Sequence, residues 1–359
     1  MKLKVLHIIN CLTIGGAEIL LVNSLTPGGL QEHTDNVLVY LQGTSELEER
    51  VDKRVKIYSL NYKGILSLPS TFLKLRKIIK DNKIDIIHSH LTPTSFYTNL
   101  ARPKNIPQVH TLHIAYSTDL ETRRELLMLE RKLFYNKKYC NLVFLSDFTK
   151  ADFLRTVKFT GKPFVLNNFI ADHFFDHHPK LYHGSAAKGL KVISVGNFRE
   201  QKNYAYLLKI FGYLKSHNIH LDIYGGGAPA SYKQQIIDNG LNVEVKGAFN
   251  NIEKVIADYD LFIMSSTNEG YPLSIFEAMA AGVPLILSDI APLRIIVKDN
   301  ALYFKLDNAK ATANMLLDIL HNKIDISRMA AKAKLYAEKT AKRNIYIKKL
   351  LEIYGQVLN

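Results

Sequence analysis

The chain has 359 residues, 47% hydrophobic and 22% charged, the balance of a globular protein long enough for two domains of roughly 100–200 residues each. Its two cysteines, Cys11 and Cys140, exclude a disulfide framework and a cysteine zinc module, and no apolar run is long enough for a spanning helix. Lys and Arg outnumber Asp and Glu by 47 to 33, a net charge of +14 that points to an anionic partner. No RNP, KH or zinc-finger pattern accompanies that charge, so nucleic acid is not the expected partner. The apolar stretch VLHII behind the first lysines is too short for a signal-peptide core, so the expected location is the cytoplasm.

Short β-branched runs alternate with amphipathic stretches along the whole chain. Residues 3–9, 37–41, 55–60, 84–88, 108–112 and 142–145 are predicted strands, and 68–80 and 120–138 are predicted helices. The polar stretch 171–190, with Pro179, Gly184 and Gly189, reads as a connection between domains. The alternation then restarts, with strands at 191–195, 220–224, 243–246, 261–264 and 284–287 and helices at 204–216 and 274–281. The tail, from about 309 to 358, reads as entirely helical. The fold class is therefore α/β: two Rossmann-like, doubly wound domains, 1–170 and 191–340, expected to face each other across a cleft. Ligands of such sheets bind beyond the carboxyl ends of the strands, so the loops there carry the candidates.

The first strand runs into NCLTIGGAE, where Gly15 and Gly16 allow a ligand close to the backbone and a helix N-terminus suits an anion. The same loop also reads as a simple tight turn. In GNFREQKNY, Arg199 and Lys202 could neutralise a phosphate pair, or form a solvated basic loop. In YGGGAP, Gly225, Gly226 and Gly227 again free the backbone at the end of a strand. The most informative segment is SSTNEGYPLSIFEAMAAGVPLILSD. Pro272 is expected in the first turn of a helix, Glu269 in the loop before it and Glu277 inside it, with Gly282 and Pro284 ending it. Two carboxylates beside glycine amides can accept hydrogen bonds from sugar hydroxyls. Neither half has G-x-G-x-x-G after its first strand, which disfavours a dehydrogenase.

Taken in this order, GGAE, GNFREQKN, YGGGAP and above all EGYPLSIFEAMAAGVP resemble glycosyltransferase family 4, the retaining nucleotide-sugar transferases of the GT-B fold with an E-x7-E motif. The resemblance covers nearly the whole chain, including VHTLHIAY (109–116), VFLSDFTKADF (143–153) and LNNFIADHF (166–174). It implies that Glu269 binds hydroxyls of the donor sugar, with Gly270, Tyr271 and Leu273 near the sugar and phosphates. It implies that Glu277 accepts from the nucleotide ribose and that Phe249 lies near the base. Lys202, helped by Arg199, would stabilise the leaving diphosphate, with Gly15 and Gly16 against it from the other domain. His113 would lie close to the donor sugar and the acceptor. The implied partners are a nucleotide-diphosphate sugar and a lipid-linked or polysaccharide acceptor, with no metal or other cofactor. The last helix, 341–359, would return to the first domain.

Three positions depart from that family's pattern. Asn197 stands where an arginine is common, so Arg199 would take its role; Asn197 stays a donor-binding candidate. Phe169 and Ala171 replace the glycine and acid of N-G-[IV]-D, and Ile295 stands where many members have a glutamate. A nucleotide-sugar epimerase or hydrolase of the same fold, or a non-catalytic nucleotide-sugar binder, are the alternatives.

Other residues read more plainly. His173 and His177 are expected in a solvated linker, at most one of His88 and His90 should point into the cleft, and Asp258 and Asp260 read as structural. Residues 1–170 hold 24 Lys and Arg against 15 Asp and Glu, a larger surplus than in the second half. The basic helical stretches 72–83 and 121–138 suit either an anionic membrane surface or a solvated face.

Overall fold

The computed structural model describes the chain except at residues 1, 14, 44, 114–127, 136, 138–139, 180, 183, 185–186, 250 and 359. The chain divides into two compact units, Met1–Phe169 with Arg343–Asn359, and Ile170–Lys342.

The first unit is built on a parallel sheet of seven strands: β1 (Leu3–Ile9), β2 (Thr34–Tyr40), β3 (Lys56–Ser59), β4 (Ile86–His90), β5 (Gln108–Leu112), β6 (Cys140–Phe144) and β7 (Lys162–Val165). Their order is β3-β2-β1-β4-β5-β6-β7. The central strands β4, β5 and β6 are buried along their whole length, with polar residues such as His88, His90, His110 and Asn141 buried among the apolar ones. Helices α1 (Gly16–Ser24), α2 (Leu68–Asp81), α3 (Thr92–Ala101) and α4 (Asp147–Thr156) supply the crossovers. Val5, Ile9, Ile86 and Val109 on one face of the sheet share a core with Ile347, Leu350 and Tyr354 of the last helix, Arg343–Leu358. The return of the C-terminal helix to the first sheet is therefore a burial effect, since its apolar stripe has that face to cover.

The second unit carries a parallel sheet of six strands: β8 (Leu190–Val195), β9 (Ile219–Tyr224), β10 (Val243–Gly247), β11 (Leu261–Met264), β12 (Leu285–Ser288) and β13 (Leu302–Phe304). Their order, β10-β9-β8-β11-β12-β13, is the doubly wound order of dinucleotide-binding folds. Helices α5 (Tyr204–Gly212), α6 (Ala230–Asp238), α7 (Leu273–Ala280) and α8 (Ala291–Val297) follow strands β8, β9, β11 and β12. Helix α7 ends at Gly282, whose φ of +74° suits a glycine; a Cβ there would also meet Pro179 Cα at 2.6 Å. The buried Lys334 donates to the carbonyls of Ala280 and Phe175, which anchors the same end of α7.

Several expectations change. The stretch 171–190 is not a free connection: it belongs to the second unit, with Phe174 and Tyr182 buried in it. The tail is helical in three pieces, α9 (Ala309–Leu320), α10 (Ser327–Thr340) and α11 (Arg343–Leu358). Residues 120–127, 136 and 138 of the expected helix 120–138 lie outside the described residues; 128–130 are helical and Arg131–Tyr135 form a π-turn. Pro272 sits at the N-cap of α7, one place before its first turn. His88 and His90, two apart on β4, share one face: both are buried and their rings stack at 4.2 Å.

Candidate active site

In the second sheet the strand order reverses between β8 and β11, and the loops after these two strands form the switch point where such sheets bind ligands. The loop after β8 runs from Gly196 to a 3-10 turn, Glu200–Lys202. Asn203, left-handed at φ 51°, ends the turn and starts α5. The loop after β11 holds the turn in place. Ser265 Oγ donates to the carbonyls of Lys202 and Asn203, both at 3.0 Å, and Thr267 N donates to Gln201 O. Tyr204, buried behind the turn, donates its hydroxyl to Gly196 O at 2.6 Å.

This framework brings Lys202 and Glu269 together. Lys202 Nζ donates to Glu269 Oε1 at 2.7 Å, and Ser266 Oγ donates to the same oxygen at 2.7 Å. Glu269 is buried, yet no described residue donates to its second oxygen, Oε2. One carboxylate oxygen is thus fixed by the protein and the other is open to accept from a ligand hydroxyl. Gly270 and Tyr271 follow; the Tyr271 ring stacks on Phe276 at 4.5 Å, and burial pushes its hydroxyl pKa well up. Leu273 opens α7, and no side chain caps that helix, so its first amides are left for another acceptor.

Glu277 lies half-buried in the second turn of α7. Burial, and then the negative charge of Glu253, push its pKa up to about 7. Arg199 lies exposed at the start of the 3-10 turn, three residues before Lys202. Asn197 Oδ1 accepts from Gly226 N at 3.0 Å, and Phe198 N donates to Gly226 O, so the loops after β8 and β9 are tied together. A Cβ on Gly225 would lie 1.9 Å from Gly196 O, so the neighbouring loop already demands a glycine there. Phe249, after β10, exposes part of its ring and packs at 5.6 Å from Tyr224. Ile295 is exposed on α8, next to Arg294, which is engaged with Asp289. Asp260 accepts from Lys191 N, a structural role.

The first sheet also reverses, between β1 and β4. Gly15 caps α1 and Gly16 opens it, but the nearest anion is the chain's own: a Cβ on Gly15 would meet Glu18 Oε2 at 2.3 Å. At the same switch point His7 pairs in register with His88. His113, just after β5, approaches His90, with Nε2 3.3 Å from His90 Nδ1. Burial, and then His110, lower the pKa of His113 to about 3, and His7 and His110 are lowered to about 4 by burial. One ring nitrogen from each of His7, His88 and His90 lies within 4.8 Å of the others. His88, however, already spends both of its ring nitrogens on Tyr354 Oη and Thr111 Oγ1, each 2.7 Å away.

The sequence reading missed Ser265 and Ser266 and misplaced His90, which shares a face with His88 instead of facing away from it. Two serines directly after an apolar strand at the switch point were the available signal for the first pair. For His90 the signal was its i, i+2 spacing from His88, which sets both on one face.

Two family models match the chain: "Glycosyltransferase Family 4" over residues 7–173 and "Glycosyl transferases group 1" over 182–339. Among curated proteins, the Bacillus subtilis putative glycosyltransferase EpsF is 25% identical over 304 residues, 80% of this chain and 79% of its own. The Escherichia coli UDP-Gal:alpha-D-GlcNAc-diphosphoundecaprenol alpha-1,3-galactosyltransferase is 25% identical over 276 residues, 71% of each chain. Among solved structures, a glycosyltransferase from Rickettsia africae superposes with a TM-score of 0.81 at 18% identity, covering 100% of this chain and 99% of its own. Anabaena Alr3699/HepE in complex with UDP and glucose gives 0.79 at 16% identity, covering 99% and 100%.

Proposed function

The chain belongs to the GT-B glycosyltransferases of the family 4 type, and on that premise we propose that it is a retaining enzyme of cell-surface glycan synthesis. It takes a sugar from a nucleotide diphosphate and passes it to a lipid-linked or polysaccharide acceptor. The observation that carries the reading is the Lys202–Glu269–Ser266 cluster at the switch point, with Glu269 Oε2 open. A UDP-sugar donor is the first to test, since the Anabaena protein binds UDP and the Escherichia coli relative is named for UDP-Gal. That relative is also named for a diphosphoundecaprenol-linked acceptor, which favours a lipid-linked acceptor here.

In this reading Glu269 Oε2 accepts from sugar hydroxyls and the amides opening α7 face the sugar and phosphates. Glu277, as carboxylate, accepts from the ribose, and Phe249 lies against the base. As the sugar C1–O bond breaks, negative charge grows on the diphosphate, and Lys202 with Arg199 stabilises it. The acceptor oxygen bonds to C1 on the face the diphosphate leaves, and its proton passes to the departing phosphate oxygen. No step needs a metal ion. Glu269 positions the donor and does not attack it; a sugar trapped covalently on Glu269 would overturn this. In the first unit, His113 is the substrate-facing group.

Helix α2 supports an anionic membrane as the surface on which a lipid-linked acceptor is met. It buries Thr71, Leu75 and Ile79 and leaves Leu73 68% exposed among Lys74, Lys77 and Lys80, with Leu66 just before it 96% exposed. A thermal-shift screen of UDP-, GDP- and ADP-sugars tests the donor reading: one sugar nucleotide should raise the melting temperature, and Glu269→Ala should abolish the shift. Failure of every donor to shift the melt would count against it.

A further inference from the structure

The buried histidines of the first sheet have tautomers that their neighbours dictate. His7 Nε2 lies 3.2 Å from Asn36 Oδ1, and the Asn36 amide nitrogen itself donates to Gln31 Oε1 and Thr34 O. Asn36 Oδ1 is therefore an acceptor, and His7 carries its proton on Nε2. His7 Nδ1, buried with no partner, is a bare lone pair. His110 repeats the pattern: Nδ1 lies 3.1 Å from both the carbonyl and Oγ of Ser89, Oγ donates to Val109 O, so Nδ1 carries the proton, and the buried Nε2 has no partner. In both rings the orphaned nitrogen is the unprotonated one. That is the cheaper arrangement, because an orphaned buried N–H is rarer and costlier than an orphaned acceptor.

His90 is the ring whose partner leaves the choice open. Its Nδ1 lies 3.3 Å from His113 Nε2, and its own Nε2 is buried without a partner. By the same rule, Nε2 of His90 is the lone pair and Nδ1–H donates. His113 Nε2 then accepts, and the His113 proton sits on Nδ1, for which no described residue supplies a partner.

We propose that His90 is a positioning residue that holds His113 as its Nδ1–H tautomer, so that His113 meets its substrate as a neutral hydrogen-bond donor and not as a base. The functional half rests on the reading of His113 as substrate-facing; the tautomer does not. His90 is itself held firmly. Its ring stacks on His88, which bonds Tyr354 Oη and Thr111 Oγ1 at 2.7 Å each. Leu91, next in the chain, takes φ 69° and ψ 148°, a strained conformation for a non-glycine residue that fixes where the strand ends. Burial keeps His113 neutral, which suits a donor that never has to gain or lose a proton.

Nitrogen-15 NMR of histidine-labelled protein reads each tautomer without any substrate. His113, assigned by loss of its signals in His113→Gln, should show a protonated Nδ1 and a bare Nε2. His90→Asn, whose amide keeps a donor near the place of Nδ1, should preserve that state. His90→Phe, which keeps the ring but no donor, should turn His113 into a tautomer mixture. It should also lower kcat about tenfold to hundredfold with KM little changed for the UDP-sugar found in the donor screen. A protonated Nε2 in the wild type, or an unchanged His113 in His90→Phe, would overturn the proposal. Full turnover by His113→Ala beside the expected tautomer would overturn its functional half. A Glu269→Ala variant inactive in that same assay would show that the donor site still stands.

Discussion

Lys202 Nζ and Glu269 Oε1 lie 2.7 Å apart although 67 residues separate them, with side chains only 14% and 7% exposed. The contact joins the loop after β8 to the loop after β11, so it organises the switch point and presents one free carboxylate oxygen there. Breaking it from one side leaves a buried charge unpaired. Lys202→Met should therefore destabilise the protein by about 3 kcal/mol in urea unfolding. It should also reduce kcat by a factor on the order of 10² to 10³. Adding Glu269→Leu should return part of the stability and none of the turnover. Recovery of turnover in the double variant would show that the pair is only structural.

Glu277 titrates in an accessible range. Its pKa of about 7 means that near neutrality the free enzyme is a mixture of acid and carboxylate. If the carboxylate accepts from the ribose, donor binding selects the ionised form and releases a proton. Affinity should rise by up to about tenfold per pH unit below pH 7 and level off above it. Calorimetry at pH 6.5 in two buffers of different ionisation enthalpy should reveal the released proton. Glu277→Gln should flatten both effects; a pH-independent affinity in the wild type would remove Glu277 from the ribose.

The histidine cluster predicts an acid limit to stability. His7 and His110 fall from 6.5 to about 4 on folding, and His113 to about 3, all through burial first. The unfolded chain therefore binds more protons between about pH 6.5 and 4. Stability is fully present above pH 6.5 and is lost as pH falls through that window, by roughly 3 kcal/mol per histidine. Glu277 acts with the opposite sign, since its contribution is lost as pH rises from 4.5 to about 7. Urea unfolding across pH 7.5 to 4.5 should show the histidine loss dominating, with a shallower slope in His110→Gln. An unchanged slope in that variant would contradict the assignment.

Two glycines separate close contact from open space. A Cβ at Gly225 would press on Gly196 O at 1.9 Å, whereas one at Gly355, in α11, meets nothing within 4 Å. Gly225→Ala should cost more than about 2 kcal/mol and weaken donor binding, because the β8 loop must move. Gly355→Ala should stabilise by roughly 0.5–1 kcal/mol through helix propensity. Differential scanning fluorimetry ranks the two variants directly; equal melting temperatures would mean that the β8 loop yields freely.

Much of the fold was legible because central parallel strands advertise themselves: Leu3–Ile9, Gln108–Leu112 and Leu261–Met264 match the predicted ranges. Strands β7 and β13 were missed because KPFV carries a proline and a half-exposed pattern and LYF is three residues long. Helix α3 was hidden by its polar, poor helix formers; Thr94, Ser95 and Thr98 are held by burial against the sheet. The site was legible where chemistry sits in one segment, as with Glu269 and Glu277. It was not legible where it depends on pairing across the sheet. Ser266 and Lys202 meet on one oxygen only through the strand order, and Gly225 is required by a carbonyl 29 residues away in sequence. The glycine loop before α1 shows the converse, since a plausible anion cradle already holds the chain's own Glu18 beside it.

Transfer itself is the most direct measurement. The purified protein would be given a radiolabelled UDP-sugar and a GlcNAc-diphosphoundecaprenol acceptor, and the linkage of the product read by NMR. The account predicts an α-linked product from an α-linked donor in the wild type, and no product from Glu269→Ala or Lys202→Met. A β-linked product, or undiminished transfer by Glu269→Ala, would contradict it.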